Sequence, residues 1–403
     1  MRDLFPILKI IKKQKTAPLL LALQMAVTLM VIVNAAFIIT DRNRLMERSS
    51  GLDEDNIFYI SSTAYQDDYA LENNLKNDLE MIRNTLGVID ATPINAIPLS
   101  GGGWSMGLSR TAGANSDGAG SAMYMVDEHA LGALGISLIA GEFFNASDIK
   151  FRTRTNNNWP PVVVITKALA LELFPDDYNE ALGETIYIED NDPMVIKGIV
   201  DTLQAPWNGW SGVERSALIP TPLLFKSITY MIRTEPGQRD LLMAQIENKM
   251  SKTPGRFIRR VRDMSEVRKR SYSFHSATNS VLLAVITALT VVTGLGIVGQ
   301  ASFSVNKRKK QIGTRRALGA NKGQIAGYFM LENAVITSFG IVLGLIASIG
   351  LNMVLVEAFS LPRLPWHYLV IGSVVLYILG QLAVAYPAQR ASAVSPAIAT
   401  RSA

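Results

Sequence analysis

The sequence predicts a membrane protein, an α-helical bundle of four spans with a large α+β domain inserted between the first and second spans on the extracytoplasmic side. Three observations predict it. Four segments of the 403 residues stay apolar for the about 20 residues that a bilayer-crossing helix needs. Between the first two of these, residues 41–278 alternate strand and helix signals without any further run of that kind. Basic residues gather at the ends of the apolar runs.

Taken in order, an N-terminal arm (1–16) holds Arg2, Lys9, Lys12, Lys13 and Lys15 against Asp3 alone. The first span, 17–40, carries no charge. It is too long for a signal-peptide core, and no clean small-residue cleavage site follows it, so it reads as a retained anchor. The second span, 279–305, is also uncharged. The third and fourth occupy 328–356 and 367–386. Between the second and third lies 306–327, NKRKKQIGTRRALGANKGQIAG, with Lys307, Arg308, Lys309, Lys310, Arg315, Arg316 and Lys322 and no acid. Short basic loops stay in the cytoplasm. The link 357–366 has one acid, Glu357, and one base, Arg363, and the tail 387–403 carries Arg390 and Arg401. Both termini and the basic loop are therefore expected inside, and 41–278 and 357–366 outside, in a multi-pass protein of a bacterial inner (cell) membrane.

The net charge of +5 sits mostly in these flanks, which argues for a membrane and against a nucleic-acid partner. With no cysteine, the chain has no disulfide and no Cys-based metal site. His129, His275 and His367 are too scattered to suggest a metal. No Ser/His/Asp order is supported by its context, and the pairs Asp67–Asp68 and Asp176–Asp177 fit helix starts or turns. No catalytic constellation appears, so the chain is not read as an enzyme.

In the outer domain, Ile57–Thr63 reads as a strand. Helical spacing follows over 67–86 through Leu71, Leu75, Leu79 and Ile82, and Val88–Ile97 returns as a strand. A second strand–helix–strand unit comes at 228–261. Together the two units fit one split ferredoxin-like module. The insert between them, about 100–222, opens on LSGGGWSMGLS and AGANSDGAG, glycine-rich stretches that predict turns and a mobile loop. It continues with strand VVVIT, helix KALALELF and the alternating strands ETIYIED and PMVIKGIVD. Trp104, Trp159, Trp207 and Trp210 all fall in the insert, as core aromatics or as a contact face. Nowhere does the sequence contain G-x-x-x-x-G-K-[ST], the phosphate loop of a nucleotide-binding site.

A family resemblance rests on particular segments. MVDEHALGALGISLIAGEFF (125–144), VVVITKALALELFPDD (162–177), LGETIYIEDNDPMVIKGIVDTL (182–203) and ALIP (217–220) stand in the order of MacB-type ABC permeases. QIGTRRALGANKGQI, the following LEN and the terminal YPAQRASAVSPAIATR resemble the FtsX-like membrane half of the same superfamily. The resemblance implies a permease subunit driven by a cytoplasmic ABC ATPase dimer on a separate chain. ATP and Mg would be used there, with no cofactor bound by this chain. It further implies a second permease, as a homodimer or a paralogous heterodimer, and a periplasmic membrane-fusion adaptor leading to an outer-membrane channel. The implied function is mechanotransmission: ATPase motion reaches the outer domain and drives efflux of a peptide, antibiotic or other amphipathic substrate. An FtsX-like regulator of a cell-wall hydrolase and a lipoprotein-releasing permease are the alternatives.

Within the basic loop, Ile312, Arg315, Arg316, Leu318 and Ala320 resemble the family's coupling helix. Such a helix would offer Ile312 and Leu318 to a groove in the ATPase, set Arg315 and Arg316 against acidic rim groups, and end at Gly319. Gln311 stands where the family often has Glu. Binding of anionic lipid is the plainer reading of the same loop. Glu332 lies just inside the third span, where a carboxylate is costly. A buried partnership with a cytoplasmic-side Arg or Lys is favoured over proton relay. Asn34, Gln300, Asn333 and Gln381 read as interhelical glue. Gly340, Gly344, Ser348 and Gly350 form a small-residue face, open between a dimer seam and packing within the chain.

Overall fold

The computed structural model describes residues 16–395 apart from 114–117, 154, 157, 190 and 360. The chain divides into two compact units, Arg48–Phe274 and the segments on either side of it. In chain order, helix α1 (Thr16–Met46) carries the first apolar run. The outer unit then runs β1 (Ile57–Ala64), α2 (Leu71–Arg83), β2 (Val88–Ile94), β3 (Trp104–Ser109), β4 (Gly118–Met125), α3 (Ala130–Leu134), β5 (Leu138–Gly141), β6 (Val162–Thr166), α4 (Lys167–Leu173), β7 (Thr185–Ile188), β8 (Asp192–Val200), β9 (Ser216–Ile219), β10 (Ser227–Thr234), α5 (Arg239–Ser251), β11 (Arg256–Asp263) and α6 (Met264–Ser271). The long α7 (Ser273–Lys307), the short α8 (Lys309–Ala317), α9 (Lys322–Phe359) and α10 (Trp366–Ser392) complete the chain.

Strands β1, β2, β10 and β11 form an antiparallel sheet in the order β11-β1-β10-β2. With α2 and α5 as crossovers this is the ferredoxin-like arrangement, its two halves separated in sequence by the insert. The helix spacing is met by burial: Leu75, Leu79 and Ile82 of α2 and Leu242, Ile246 and Met250 of α5 pack with Phe58, Ile60, Tyr230 and Ile232. One ion pair lies inside this core. Arg256 Nη2 donates to Asp78 Oδ1 at 2.9 Å and Nη1 to Asp78 Oδ2, with side-chain exposures of 2% and 7%. The Tyr230 hydroxyl donates to the same carboxylate at 2.7 Å, and burial holds that hydroxyl's pKa well above the usual tyrosine range.

The insert is a seven-stranded sheet in the order β5-β8-β6-β9-β4-β3-β7. Because β7 also pairs with β8, six of its strands close into a ring. The glycine-rich stretches are not the mobile loop that composition suggests. In part they form the paired strands β3 and β4, in register from Trp104–Met123 to Ser109–Gly118, while 99–103 and 110–113 are the turns and bends that glycine predicts. Residues 114–117 of that expectation lie outside the described residues. Glycine serves packing here: a Cβ on Gly120 would stand 3.3 Å from the Trp210 ring. Trp159 packs against the ring's core, with Arg152 4.0 Å over its face, whereas Trp104 is exposed. Asp177 caps a turn by accepting from the Asn179 amide, and Asp67 and Asp68 lie in a turn where Asp67 pairs with Lys226. Module and insert are tied at Asp127, which takes Arg83 Nη2 and, at 2.7 Å, the Thr92 hydroxyl. Burial raises the Asp127 carboxyl above its ordinary pKa, and His129 Nδ1 lies 2.9 Å from Asp90 Oδ1.

In the membrane unit α7 has 35 residues and α9 has 38, about 52 and 57 Å at ~1.5 Å per residue, well beyond a ~30 Å hydrocarbon core. Helix α1 lies directly on the small-residue face of α9. A Cβ on Gly340 would meet Ala22 O and Met25 Cβ at 2.9 Å, and one on Gly344 would meet Leu29 Cβ at 3.0 Å. Asn34 Nδ2 donates to Ser348 O at 3.2 Å. Gly340, Gly344 and Ser348 are therefore occupied within the chain and do not form a dimer seam. Gly350 faces open space. Gly344→Leu overpacks this contact and is expected to cost about 1–3 kcal/mol, read as a lowered thermal midpoint in detergent, with Gly350→Leu unchanged. Helix α7 meets α1 through Thr28 and Thr293, whose hydroxyls lie 2.7 Å apart, and Asn333 Nδ2 of α9 donates to Gly380 O of α10 at 2.9 Å. Gln381 Nε2 is buried without a partner among the described residues.

Candidate functional site

The basic loop folds as a helix hung between two spans. Helix α7 breaks at Arg308, whose amide reaches both Ser304 O and Val305 O at 3.2 Å, and α8 begins at Lys309. Helix α8 ends at Gly319, which has φ +96°, a conformation glycine adopts without a Cβ penalty. Its amide donates to Arg316 O at 3.2 Å, and that of Ala320 donates to Arg315 O at 3.0 Å, the two bonds of a Schellman turn. Asn321 then opens α9 through a reciprocal cap with Gln324, at 2.8 and 3.0 Å. The run A-L-G-A-N-x-x-Q thus encodes a stop, a turn and a start.

Four side chains, Arg308, Ile312, Arg315 and Arg316, fix α8 to the bundle. Arg308 turns inward and donates to both oxygens of Glu332 at 2.9 and 3.0 Å, the two side chains 9% and 10% exposed. Its Nη1 also reaches the Tyr328 hydroxyl at 3.4 Å. A bidentate, charge-assisted pair of this kind compensates the burial of both charges only when complete. Ile312, 4% exposed, packs with Val305, Ile325, Phe329, Ala388 and Ala391. Arg316 Nη1 donates to Ser392 O at the end of α10, and the Arg315 guanidinium lies 4.9 Å over the Tyr328 ring.

Of the coupling residues read from sequence, Ile312 is thus not available to a partner: it anchors α8 to its own spans. Ala320 packs partly against the same cluster. Leu318 is 83% exposed at the turn, and Lys309, Lys310, Gln311 and Arg315 are exposed beside it. The outward side therefore offers one large apolar side chain among positive charge, suited to an apolar pocket with an acidic rim. Glu332 and Asn333 sit at the level of the Arg308 pair, and Gln300 lines a cavity of about 50 Å³ beside them. Arg308, Tyr328 and Ser392 were not distinguished in the sequence: Arg308 is one of seven bases in the loop, and only the fold turns it inward. A second basic cluster, Arg256–Arg270 in the outer unit, has seven bases in fifteen residues.

The model of the FtsX-like permease C-terminal matches residues 283–396, which include this site, and that of the MacB-like periplasmic core domain matches 24–249, more than half of the chain. The macrolide export ATP-binding/permease protein MacB of Pasteurella multocida is 24% identical over 377 residues, covering 89% of this chain and 53% of the relative. That of Campylobacter jejuni strain 81-176 is 24% identical over 230 residues, covering 53% and 33%. An uncharacterized ABC transporter permease of Bacillus subtilis, YvrN, is 25% identical over 299 residues, 69% of each chain. This chain therefore spans about a fifth to a half of the length of the macrolide-export relatives. Among solved structures, the periplasmic region of MacB from Actinobacillus actinomycetemcomitans aligns with TM-score 0.34 and 12% identity over 56% of this chain and 97% of that one. Four membrane-length apolar helices, the ferredoxin-like module with its ring-shaped insert and the two family matches agree: the chain belongs to the MacB-type ABC permeases, multi-pass membrane proteins with a MacB-like periplasmic core domain and an FtsX-like C-terminal half.

Proposed function

We propose that this chain is the permease subunit of an ABC transporter and that α8 is where a separate cytoplasmic ATPase dimer takes hold. The observation that carries the reading is the division of labour on α8. Ile312 and the Arg308–Glu332 pair hold the helix to the spans, while Leu318 and the exposed bases face outward. A docking helix that was loosely attached would absorb a push; one clamped by a buried bidentate pair passes it on. The path onward is covalent. Helix α7 runs unbroken for 35 residues from the clamp to Ser273, one residue from α6, which is capped by Asp263 at the end of β11. Closure of the ATPases on ATP and Mg moves α8, and α7 carries the movement to the outer sheet.

On this reading the basic loop and both termini are cytoplasmic, and the outer domain works on substrate already outside the membrane. Macrolide export, named for several relatives, makes an amphipathic antibiotic or peptide the substrate class to try first. A second permease completes the dimer, and an adaptor with an outer-membrane channel would receive the substrate.

The test is transport. The full chain and its cognate ABC ATPase, reconstituted in vesicles, are expected to move a labelled macrolide or amphipathic peptide only with hydrolysable ATP. Binding of the ATPase with no movement of either class of substrate would overturn the export reading.

A further inference from the structure

We infer that the outer unit carries a binding site for a phosphate-bearing anion, the headgroup of an anionic phospholipid. The site is a pocket of about 340 Å³ lined by Tyr59, Trp207, Asn208, Arg260, Arg262 and Arg270, with no carboxylate in its lining. Tyr59 and Arg262 are register partners on β1 and β11, so sheet pairing sets an aromatic ring beside a guanidinium. Asn208 Nδ2 donates to Ser271 O at 2.7 Å, fastening the Trp207 loop to the end of α6. The far wall includes Ser100 and Gly101, held by a backbone that puts the buried, non-glycine Leu99 at φ +63°. Such strain persists only where the surroundings enforce it.

The charges are out of balance. Arg262 and Arg270 share one carboxylate, Glu266, at 3.3 and 2.5 Å. The Arg260 side chain is exposed and makes no ion pair or hydrogen bond among the described residues. Three guanidiniums thus line the pocket while only two of them share a carboxylate, leaving fork-shaped donors for a bidentate anion such as phosphate. Other bases of the cluster are already engaged, Arg256 by Asp78 and Arg268 by Glu54.

Position along the chain favours lipid. Helix α7 starts at Ser273 and its uncharged apolar run at Asn279, so along the chain Arg270 and Ser271 stand within about ten residues of a membrane span. Segments flanking a span on the extracytoplasmic side need no basic excess to set topology. With Arg256 and Arg268 paired inside the fold, the pocket-lining Arg260, Arg262 and Arg270 against Glu266 leave an excess of positive charge that topology does not need. Trp207, half-buried at the pocket, has the amphipathic ring that suits the bilayer interface.

The experiment titrates the full chain in neutral detergent with short-chain phosphatidylglycerol, short-chain phosphatidylcholine, inorganic phosphate and an oligo-glutamate peptide, reading the thermal midpoint and direct binding. Because the loop at 306–327 can also attract anionic lipid, the informative quantity is the difference between the wild type and Arg260→Gln/Arg270→Gln. Expected is at least a tenfold preference for phosphatidylglycerol over phosphatidylcholine, with a component lost in the double variant and kept in Arg259→Gln, an exposed base on the same strand outside the pocket. Inorganic phosphate is expected to compete only at much higher concentration. The proposal is overturned if the double variant binds phosphatidylglycerol as the wild type does, if free phosphate matches the lipid in affinity, or if the peptide alone binds in an Arg260- and Arg270-dependent way.

Discussion

Glu332→Ala leaves the Arg308 guanidinium charged and unpaired inside the bundle, and the expected result is a loss of about 3–5 kcal/mol of stability. In a chain with marginal stability that is a large share of the total. The readout is the thermal midpoint of the full chain in detergent, followed by ATPase stimulation in whatever fraction remains folded. The informative partner is Arg308→Met/Glu332→Leu. Removing both charges at once leaves no orphan, so most of the stability is expected to return. Stimulation of the ATPase is expected to stay low, because apolar packing lets α8 slide where the bidentate pair fixed its angle. Recovery of both properties in the double variant would show that the pair only fills space.

The second large effect lies in the outer unit. Arg256→Met strands the Asp78 carboxylate among Leu75, Leu79 and Tyr230, and the expected cost is again about 3–5 kcal/mol. The measurement is the unfolding midpoint in urea of the full chain, followed by a probe in the outer unit. Asp78→Leu/Arg256→Met is expected to recover most of the loss. Lys226→Ala, which removes the partner of the fully exposed Asp67, is expected to leave the midpoint where it was.

The sequence was legible where one physical requirement dominates a segment. A bilayer tolerates few charges, so the four spans stand out as long apolar runs whose one Asp, Glu, Lys or Arg is Glu332. The ferredoxin-like module could be read because Leu75, Leu79 and Ile82 keep helical spacing beside strands of alternating burial. Legibility failed where a residue's meaning depends on what lies opposite. Glycines at 107, 118 and 120 look like loop, yet they are strand positions, one of them kept small for Trp210. The face Gly340, Gly344, Ser348 signals close helix approach without saying to which helix; the fold answers with α1. Ile312 and Leu318 are both apolar residues in a basic segment, and periodicity cannot tell an anchor from a docking residue. Arg308 had the same difficulty among its basic neighbours, since the partner that singles it out is 24 residues away.

The central claim is that the outward side of α8 is the ATPase docking surface. Its most direct test measures the affinity of the full chain in nanodiscs for its cognate ABC ATPase, comparing the wild type with Leu318→Asp. Leu318 is exposed, so the substitution is expected to leave the fold and thermal midpoint unchanged. Affinity for the ATPase is expected to fall at least tenfold, together with ATPase stimulation. A folded Leu318→Asp protein that binds and stimulates the ATPase as the wild type does would contradict it.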